Sequence, residues 1–239
     1  MNKTLLQRYR AGGFNSVQGW GINETLIDIF VHLNDFHMTN NLEGPLCEIG
    51  VHHGRTLILL GLMKRQHERA VGIDLFESGQ AQNLDASGKG SIEAARRNLA
   101  EHAPGVNFDL IAASSFDLTA DQRNLMQGCR FMHIDGGHFT EVVLNDIALT
   151  QSILGLGGVI VVDDYWHSGF PEVQEAVHRY FWTSSSLKAV PFMTGINKIF
   201  LAHLSHRDLL LAHMSARLPE ERRKPIRLLG HSAICIDPH

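Results

Sequence analysis

Several apolar runs in this sequence end abruptly on aspartates, and this pattern constrains the fold more than any other feature. The runs AVGID, RFMHID and VIVVDD end on Asp74, on Asp135 and on the adjacent pair Asp163 and Asp164. Segments with helical spacing separate the runs, so strands alternate with helices, which predicts βαβ units and a parallel sheet. The near-continuous hydrophobicity of the runs is typical of strands covered by helices on both faces. Such sheets bind ligands beyond the carboxyl ends of their strands, where these aspartates fall.

Composition and charge exclude several classes of protein. Of the 239 residues, 44% are hydrophobic and 19% charged, which is typical of a folded protein with room for one large α/β domain. The formal net charge of -4 provides no general basic surface, so we expect no nucleic-acid partner. No apolar run reaches about 18 residues, so we expect no membrane-spanning segment. The three cysteines form no CxxC pair, which favours a reducing compartment, and we expect the cytoplasm.

We predict that residues 1–239 form a single domain, with an N-terminal arm over residues 1–21 and a C-terminal extension over residues 204–239. Asn23 and Ser91 are each typical of the residue that caps the start of a helix. In the extension, RDLLLAHMSARL predicts a helix, RLPEERRKPIR a solvated basic turn, and LLGHSAICI a last strand.

A long polar segment, residues 76–91, is rich in Gly, Ser, Asn and Gln and is predicted to be a loop. Loops of this length in compact domains commonly have a function, and we hypothesise that this one closes over the site. Further along the chain, Pro171 suits the first position of a helix.

The segment CEIGVHHGRT, residues 47–56, joins a predicted strand to a predicted helix and has the form E-x-G-x-x-x-G-x-T. Its glycines permit a tight turn and a close approach to a ligand, whose polar groups can meet the free N–H groups of the helix. The spacing is neither G-x-G-x-x-G nor that of a P-loop, which counts against a dinucleotide dehydrogenase and an NTPase. Asp74 ends the next strand and can accept hydrogen bonds from both hydroxyls of a ribose. Taken singly, the two features also fit an ordinary βα turn and a turn aspartate.

Together, CEIGVHHGRT, GIDLF, HIDGGH and VVDDYW resemble the class I S-adenosylmethionine-dependent methyltransferases. More narrowly, the chain resembles the metal-dependent O-methyltransferases of the macrocin, or sugar, type from about Gly19 to Ala202. The resemblance implies a Rossmann-like doubly wound sheet of seven mostly parallel strands, with helices on both faces and an antiparallel last strand. It also implies that S-adenosylmethionine is the cofactor. The implied cofactor-binding residues are Glu48, Gly50, Val51, His52, Gly54, Arg55, Thr56, Asp74, Leu75, Ser114, Ser115 and Asp135.

Adjacent strands lie ~4.8 Å apart, so the acids that end neighbouring strands are expected to meet. Carboxylates that close repel one another unless one is protonated or a cation binds them. A hard divalent ion takes oxygen ligands, and Mg²⁺ is the one we expect. The resemblance places the metal on Asp135, Asp163 and Asp164, where it would lower the pKa of a bound substrate hydroxyl.

His138 follows Asp135 by three residues, beyond two glycines, and is predicted to be the general base that takes the proton of the acceptor. Related families commonly have a base at this place. The alternative is a histidine at the start of the following helix with no chemical role. His133 is interpreted as structural, and Trp20 and Trp166 either line the acceptor pocket or pack.

We therefore predict an enzyme that moves the methyl group of S-adenosylmethionine to a hydroxyl, most simply that of a sugar in a glycan or glycosylated natural product. A catechol or phenol O-methyltransferase is the alternative. More distant alternatives are a metal-dependent phosphohydrolase, which would need D-x-D after the first strand, and a non-catalytic cofactor-binding protein. Phe139 stands where relatives often have tyrosine, so the acceptor is left open, as are the native metal and a homo-oligomer.

Overall fold

A mixed sheet of nine strands runs through the described part of this computed structural model, residues 3–83, 85 and 87–236. The strands are β1 (Leu46–Ile49), β2 (Ala70–Asp74), β3 (Asp109–Ala112), β4 (Cys129–Ile134), β5 (Leu154–Val162), β6 (Ala189–Gly195), β7 (Lys198–His203), β8 (Arg223–Leu228) and β9 (His231–Ile236). The helices are α1 (Lys3–Arg10), α2 (Glu24–Thr39), α3 (Arg55–Met63), α4 (Phe76–Gly79), α5 (Ile92–His102), α6 (Ala120–Asn124), α7 (Thr140–Ile153), α8 (Pro171–Thr183) and α9 (Arg207–Arg217).

The strand order is β3-β2-β1-β4-β5-β7-β6-β9-β8. The first five strands are parallel, and β7 runs antiparallel to β5 and β6. The chain leaves β1 toward β2 and β3 and then returns to its other side as β4. A crevice therefore opens between the carboxyl ends of β1 and β4, the usual ligand site of doubly wound sheets. This topology confirms the predicted α/β class and the Rossmann-like order.

Buried side chains alternate between two cores, one on each face of the sheet. Leu46 and Phe131 belong to the core that contains residues of α1, α2 and α3, whereas their neighbours Cys47 and Met132 belong to the core that contains residues of α7 and α8. Successive strand residues point to opposite faces, so the central strands are buried on both sides. This explains the continuous hydrophobicity of their sequences.

The C-terminal extension differs in part from its predicted form. The predicted helix is present as α9, but the segment expected to be a solvated basic turn contains β8, which pairs antiparallel with β9. Because β9 pairs with β6, the described residues contain nine strands, and the expected seven is wrong. An edge strand tolerates charged side chains and a proline such as Pro225, since one of its sides has no partner strand. Lys224 and Arg227, whose charges suggested a turn, are exposed on this edge.

The predicted helix starts agree with the structure. Asn23 Oδ1 accepts a hydrogen bond from the Leu26 N–H at 2.9 Å, Ser91 Oγ accepts one from the Ala94 N–H, and Pro171 is the first residue of α8. The segment predicted as a long loop contains the short helix α4, and residues 84 and 86 lie outside the described residues. Of the helices described, none has the length and apolarity needed to cross a membrane.

Arg130, the second residue of β4, is fully buried and joins three parts of the fold. Its Nε and Nη2 donate hydrogen bonds to the Glu68 carboxylate at 2.7 and 2.8 Å, and Nη1 donates to Asn34 Oδ1 at 3.0 Å. Burial opposes ionisation of Glu68, but the hydrogen bonds and charge of Arg130 outweigh it and lower the pKa of Glu68 to about 2. The pair thereby attaches α2 and the segment before β2 to β4.

Replacing Arg130 with methionine would take two hydrogen bonds and the nearest buried positive charge from the Glu68 carboxylate, whose remaining ion pair would be the one with Arg65 at 3.0 Å. We expect Arg130→Met to lower the free energy of unfolding by about 3–5 kcal/mol, the usual cost of removing one partner of a buried ion pair. Urea denaturation followed by circular dichroism measures the change, and Arg130→Met/Glu68→Gln should recover most of it. A loss in the single variant no larger than that of a surface ion pair, about 1 kcal/mol or less, would contradict this role.

Candidate active site

A cavity of about 1260 Å³ opens at the carboxyl ends of the parallel strands. Its walls come from the N-terminal arm, the glycine loop after β1, the ends of β2, β4 and β5, and the turn before β7. The predicted cofactor-binding residues found in these walls are Glu48, Gly50, Val51, His52, Arg55, Thr56, Asp74, Leu75, Ser114, Ser115 and Asp135. Gly54 lies outside the wall, where it caps α3 in the left-handed conformation with φ 87°.

Gly50 approaches protein backbone more closely than any side chain would allow. Its φ is 89°, and a Cβ atom at this position would lie 1.8 Å from the carbonyl oxygen of Asp135. The glycine therefore lets the loop after β1 pack directly against the loop after β4. The sequence pattern indicated a close approach to a ligand, whereas the group that Gly50 approaches in the structure is the backbone of Asp135.

The Asp74 carboxylate lies at the end of β2 and is oriented by two backbone donors. Its Oδ2 accepts a hydrogen bond from the His52 N–H and its Oδ1 one from the Phe76 N–H, each at 2.7 Å. A carboxylate oxygen has two lone pairs, so each oxygen retains capacity for a further donor. Asp74 is thus held at the cavity wall in a geometry that can accept two hydroxyls.

Arg55 attaches the N-terminal arm to the cavity. Its Nη1 donates to the carbonyl oxygen of Gly19, and its guanidinium lies 5.2 Å from the ring centroid of Phe14. The arm consequently passes over the acids. A Cβ atom on Gly21 (φ 82°) would lie 2.9 Å from Asp163 Oδ2, so only glycine fits here without a shift. Beside it, Trp20 is 70% exposed at the cavity wall.

Asp163 is buried and surrounded by positive and donor groups. Lys198 Nζ forms an ion pair with its Oδ1, which also accepts the Asp164 N–H at 2.8 Å. His133 Nε2 lies 3.7 Å from Oδ2, close enough for charge attraction but too far for a hydrogen bond. Burial opposes ionisation, yet the Lys198 charge and His133 outweigh it and lower the pKa of Asp163 to about 2.

His133 is part of the same buried charge network. Its Nδ1 lies 2.9 Å from Glu48 Oε1, and both side chains are buried. Burial alone would lower its pKa, but Asp163 and Glu48 outweigh this and raise the pKa of His133 to about 9. His133 therefore lies between Glu48 and Asp163, and these acids favour its protonated form, although burial raises the pKa of Glu48 itself.

His138 is held between two carboxylates. Its backbone N–H and its Nδ1 contact Asp85 Oδ2 at 2.8 and 2.7 Å, and its Nε2 lies 3.0 Å from Asp164 Oδ2. The imidazole stacks on Phe170 with a centroid distance of 3.7 Å. Burial opposes protonation, but Asp164 and Asp85 outweigh it and raise the pKa of His138. These contacts fix the ring plane and present Nε2 to the carboxylate cluster.

The three acids predicted to bind a metal are divided between two clusters. In the described part of the chain, ligand atoms of Asp135, His138 and Asp164 lie within 4.8 Å of one another, and so do those of His133, Asp135 and Asp163. Asp135 is common to both clusters. Burial, followed by repulsion from Asp163, raises its pKa well above the usual range. Asp164 has φ 58°, and its Oδ1 accepts a hydrogen bond from Asn197 at 2.7 Å.

Sequence reasoning missed Lys198, Asn197, Asp85 and Phe170. Lys198 begins β7 and Asn197 is the turn residue before it, and only the antiparallel direction of β7 brings that end to the cavity. Asp85 lies in the long polar loop, 53 residues before its histidine. The one usable signal was the polar pair Asn197 and Lys198 inside an otherwise apolar strand pattern. Of the two tryptophans considered, Trp166 donates to Thr194 Oγ1 at 2.7 Å, whereas Trp20 lines the cavity.

The chain is similar to known methyltransferases in sequence and in fold. The sequence profile of a methyltransferase-domain family matches residues 47–165. The uncharacterized protein R132 of Acanthamoeba polyphaga mimivirus is 29% identical over 169 residues, which cover 66% of this chain and 71% of the relative. Residues 47–165 are thus similar to methyltransferase domains.

Solved structures show the same fold. The O-methyltransferase NovP matches with a TM-score of 0.62 at 19% identity, over 76% of this chain and 81% of its own. TomG, an O-methyltransferase of tomaymycin synthesis from Streptomyces achromogenes solved with S-adenosylmethionine, matches with a TM-score of 0.55 at 15% identity, over 83% of this chain and 88% of its own. CalS11, a TDP-rhamnose 3'-O-methyltransferase of calicheamicin biosynthesis, matches with a TM-score of 0.50 at 13% identity, over 84% of this chain and 93% of its own. The chain shares the Rossmann-like fold of these O-methyltransferases.

Asp146, on α7 behind Ser115, is a buried carboxyl group that the sequence did not single out. Burial raises its pKa to about 7, and its Oδ2 lacks a hydrogen-bond partner. From about pH 4, the pKa of an unfolded aspartate, to about pH 7, the folded state retains a proton that the unfolded state loses. The contribution of this group to stability therefore falls as the pH rises through that interval.

Asp146→Asn should remove this pH dependence. We expect the variant to melt at a higher temperature than the wild type at pH 8, because no buried charge forms, and at a similar temperature at pH 4.5. Calorimetric melting at both pH values measures the difference. The exposed Asp121→Asn serves as the matched control and should change neither value. An Asp146→Asn protein that is less stable than the wild type at pH 8 would contradict the assignment.

Proposed function

We propose that this protein is an S-adenosylmethionine-dependent O-methyltransferase. The observation that carries the proposal is the placement, in one cavity, of the donor-oriented Asp74 carboxylate and of the oriented imidazole of His138. The cavity exceeds the ~300–1,000 Å³ typical of a site for one small ligand, so a cofactor and part of an acceptor fit together. Asp74 would bind the ribose, Ser114 and Ser115 would lie near the adenine, and Glu48 and Gly50 near the methionine part.

In this proposal His138 takes the proton of the acceptor hydroxyl. Asp85 holds Nδ1 and stabilises the imidazolium, the role that a carboxylate plays beside a catalytic histidine. For this step the contact between Nε2 and Asp164 Oδ2 opens and Nε2 is unprotonated. Nε2 then accepts the proton while the acceptor oxygen forms a bond to the methyl carbon and the carbon–sulfur bond of the sulfonium breaks. S-adenosylhomocysteine leaves as the product. The walls hold the reactants in line and exclude water, which is most of what a protein must supply for methyl transfer.

We also propose that the activity depends on a divalent metal ion. The oxygens of Asp135 and Asp164 fit Mg²⁺, since they converge within one cluster and Asp135 is a desolvated carboxyl whose pKa is raised by burial and by Asp163. A bound ion would lower the pKa of an acceptor hydroxyl. Asp163, the third residue predicted to bind the ion, is paired with Lys198.

For the acceptor we propose a sugar hydroxyl of a glycan or glycosylated natural product, with a catechol or phenol second. The fold neighbour CalS11 acts on TDP-rhamnose, and the exposed indole of Trp20 at the cavity wall suits the face of a sugar ring. A phosphohydrolase is disfavoured because β1 ends on Ile49 and is followed by Gly50 and Val51 rather than by an acid pair. A cytoplasmic location, a homo-oligomer and the lack of nucleic-acid or membrane partners remain predictions.

Binding of S-adenosylhomocysteine tests the cofactor site. We expect the wild type to bind it with micromolar affinity in isothermal titration calorimetry. Asp74→Ala should weaken binding at least about tenfold, since hydrogen bonds to a charged group contribute ~1.5–3 kcal/mol each. The exposed Asp208→Ala is the control and should bind like the wild type. Wild-type protein that binds neither S-adenosylhomocysteine nor S-adenosylmethionine would refute the proposed function.

Turnover measurements test whether His138 acts as the general base. S-adenosylhomocysteine release is measured with a panel of glycosides and catechols, which also separates an enzyme from a non-catalytic binding protein. With the best acceptor, Asp85→Asn should lower kcat by about 10–100-fold, toward the lower part of the range for general base catalysis. Its affinity for S-adenosylhomocysteine should be unchanged, because Asp85 contacts the histidine. An Asp85→Asn enzyme with the kcat of the wild type would remove Asp85 from the mechanism.

A further inference from the structure

Lys198 brings a positive charge into the carboxylate cluster. It is the first residue of β7 and follows Ile196 and Asn197, whose φ values of 51° and 62° form the tight turn between β6 and β7. Because β7 is antiparallel to β5, its first residue lies beside the last residues of β5. The side chain of Lys198 is 1% exposed and lines the cavity.

Asp163 and Asp164 have different partners. Asp163 is paired with the ammonium of Lys198 and faces His133. Asp164 accepts from the neutral amide of Asn197 and contacts His138. A buried lysine is costly unless a carboxylate compensates it, so Lys198 and Asp163 stabilise each other and neither is readily released.

We propose that Lys198 neutralises the charge of Asp163 and thereby limits the affinity of the site for a divalent metal ion. This inference rests on the proposed function only in placing a divalent ion at Asp135 and Asp164. Because Lys198 pairs with Asp163, this third carboxylate is not available to bind the ion. The positive charge of Lys198 also repels the ion at short range in the low-dielectric interior. The metal affinity of this chain is therefore lower than that of a site with three free carboxylates, and it is set by a residue that is not a ligand.

The test is Mn²⁺ binding, measured by electron paramagnetic resonance of the free ion, on protein saturated with S-adenosylhomocysteine. We expect Lys198→Met to bind Mn²⁺ at least about tenfold more tightly than the wild type, because a repelling charge is lost and Asp163 is released. Lys198→Arg keeps the charge and should bind like the wild type. Mg²⁺ should also raise the melting temperature of Lys198→Met more than that of the wild type.

Two further variants test the role of Asp163 and allow for a Lys198→Met protein that does not fold. In Lys198→Met/Asp163→Asn the gain in Mn²⁺ affinity should disappear, since the released carboxylate is absent. Should Lys198→Met fail to fold, Lys198→Gln carries the same expectation, because its amide keeps a donor beside Asp163 without the charge.

The proposal is overturned if the uncharged variants bind Mn²⁺ no more tightly than the wild type, or if Lys198→Arg gains as much as they do. Failure of the proposed function is a separate outcome. It would show as wild-type protein that does not bind S-adenosylhomocysteine, whereas normal S-adenosylhomocysteine binding with unaltered Mn²⁺ affinity refutes only the role of Lys198.

Discussion

The ion pair of Lys198 and Asp163 compensates a buried carboxylate where β5 and β7 lie side by side. A carboxylate in this position is stable only if charge and hydrogen bonds replace its water. Lys198 supplies the charge, the Asp164 N–H supplies a hydrogen bond, and His133 extends the network to Glu48 on β1. Acids from three neighbouring strands can therefore be buried together at the carboxyl ends of these strands. The rest of the site depends on this arrangement.

Close backbone packing around these acids depends on two glycines. Gly50 lets the loop after β1 touch the Asp135 carbonyl, and Gly21 lets the N-terminal arm pass over Asp163 and Asp135. Both have positive φ values, so a side chain would add backbone strain to the steric clash. The predicted N-terminal arm is in this way a wall of the cavity, and Arg55 serves the site by holding Gly19.

The sequence was sufficient for the central part of the fold because local signals and burial agree there. Continuous apolar runs identified the parallel strands, and the caps at Asn23 and Ser91 identified helix starts. The edge strand β8 was missed because strand pairing, rather than its own polar pattern, determines its structure. Lys198 and Asp85 were missed for a related reason. Their roles follow from contacts between segments distant in sequence, which single-sequence patterns do not encode.

The contact between Asp85 and His138 connects the long polar loop to the proposed chemistry. One carboxylate oxygen meets both the backbone N–H and Nδ1 of the histidine, so it orients the ring relative to its own backbone. Asp85 itself is fixed within the loop, where its Oδ1 accepts from the Ser87 N–H at 2.9 Å and from the Ser87 hydroxyl at 2.6 Å. The orientation of His138 therefore depends on the position of this loop. A base that is oriented only when the loop lies against the cavity would act on an acceptor already enclosed, where charges interact more strongly than in water.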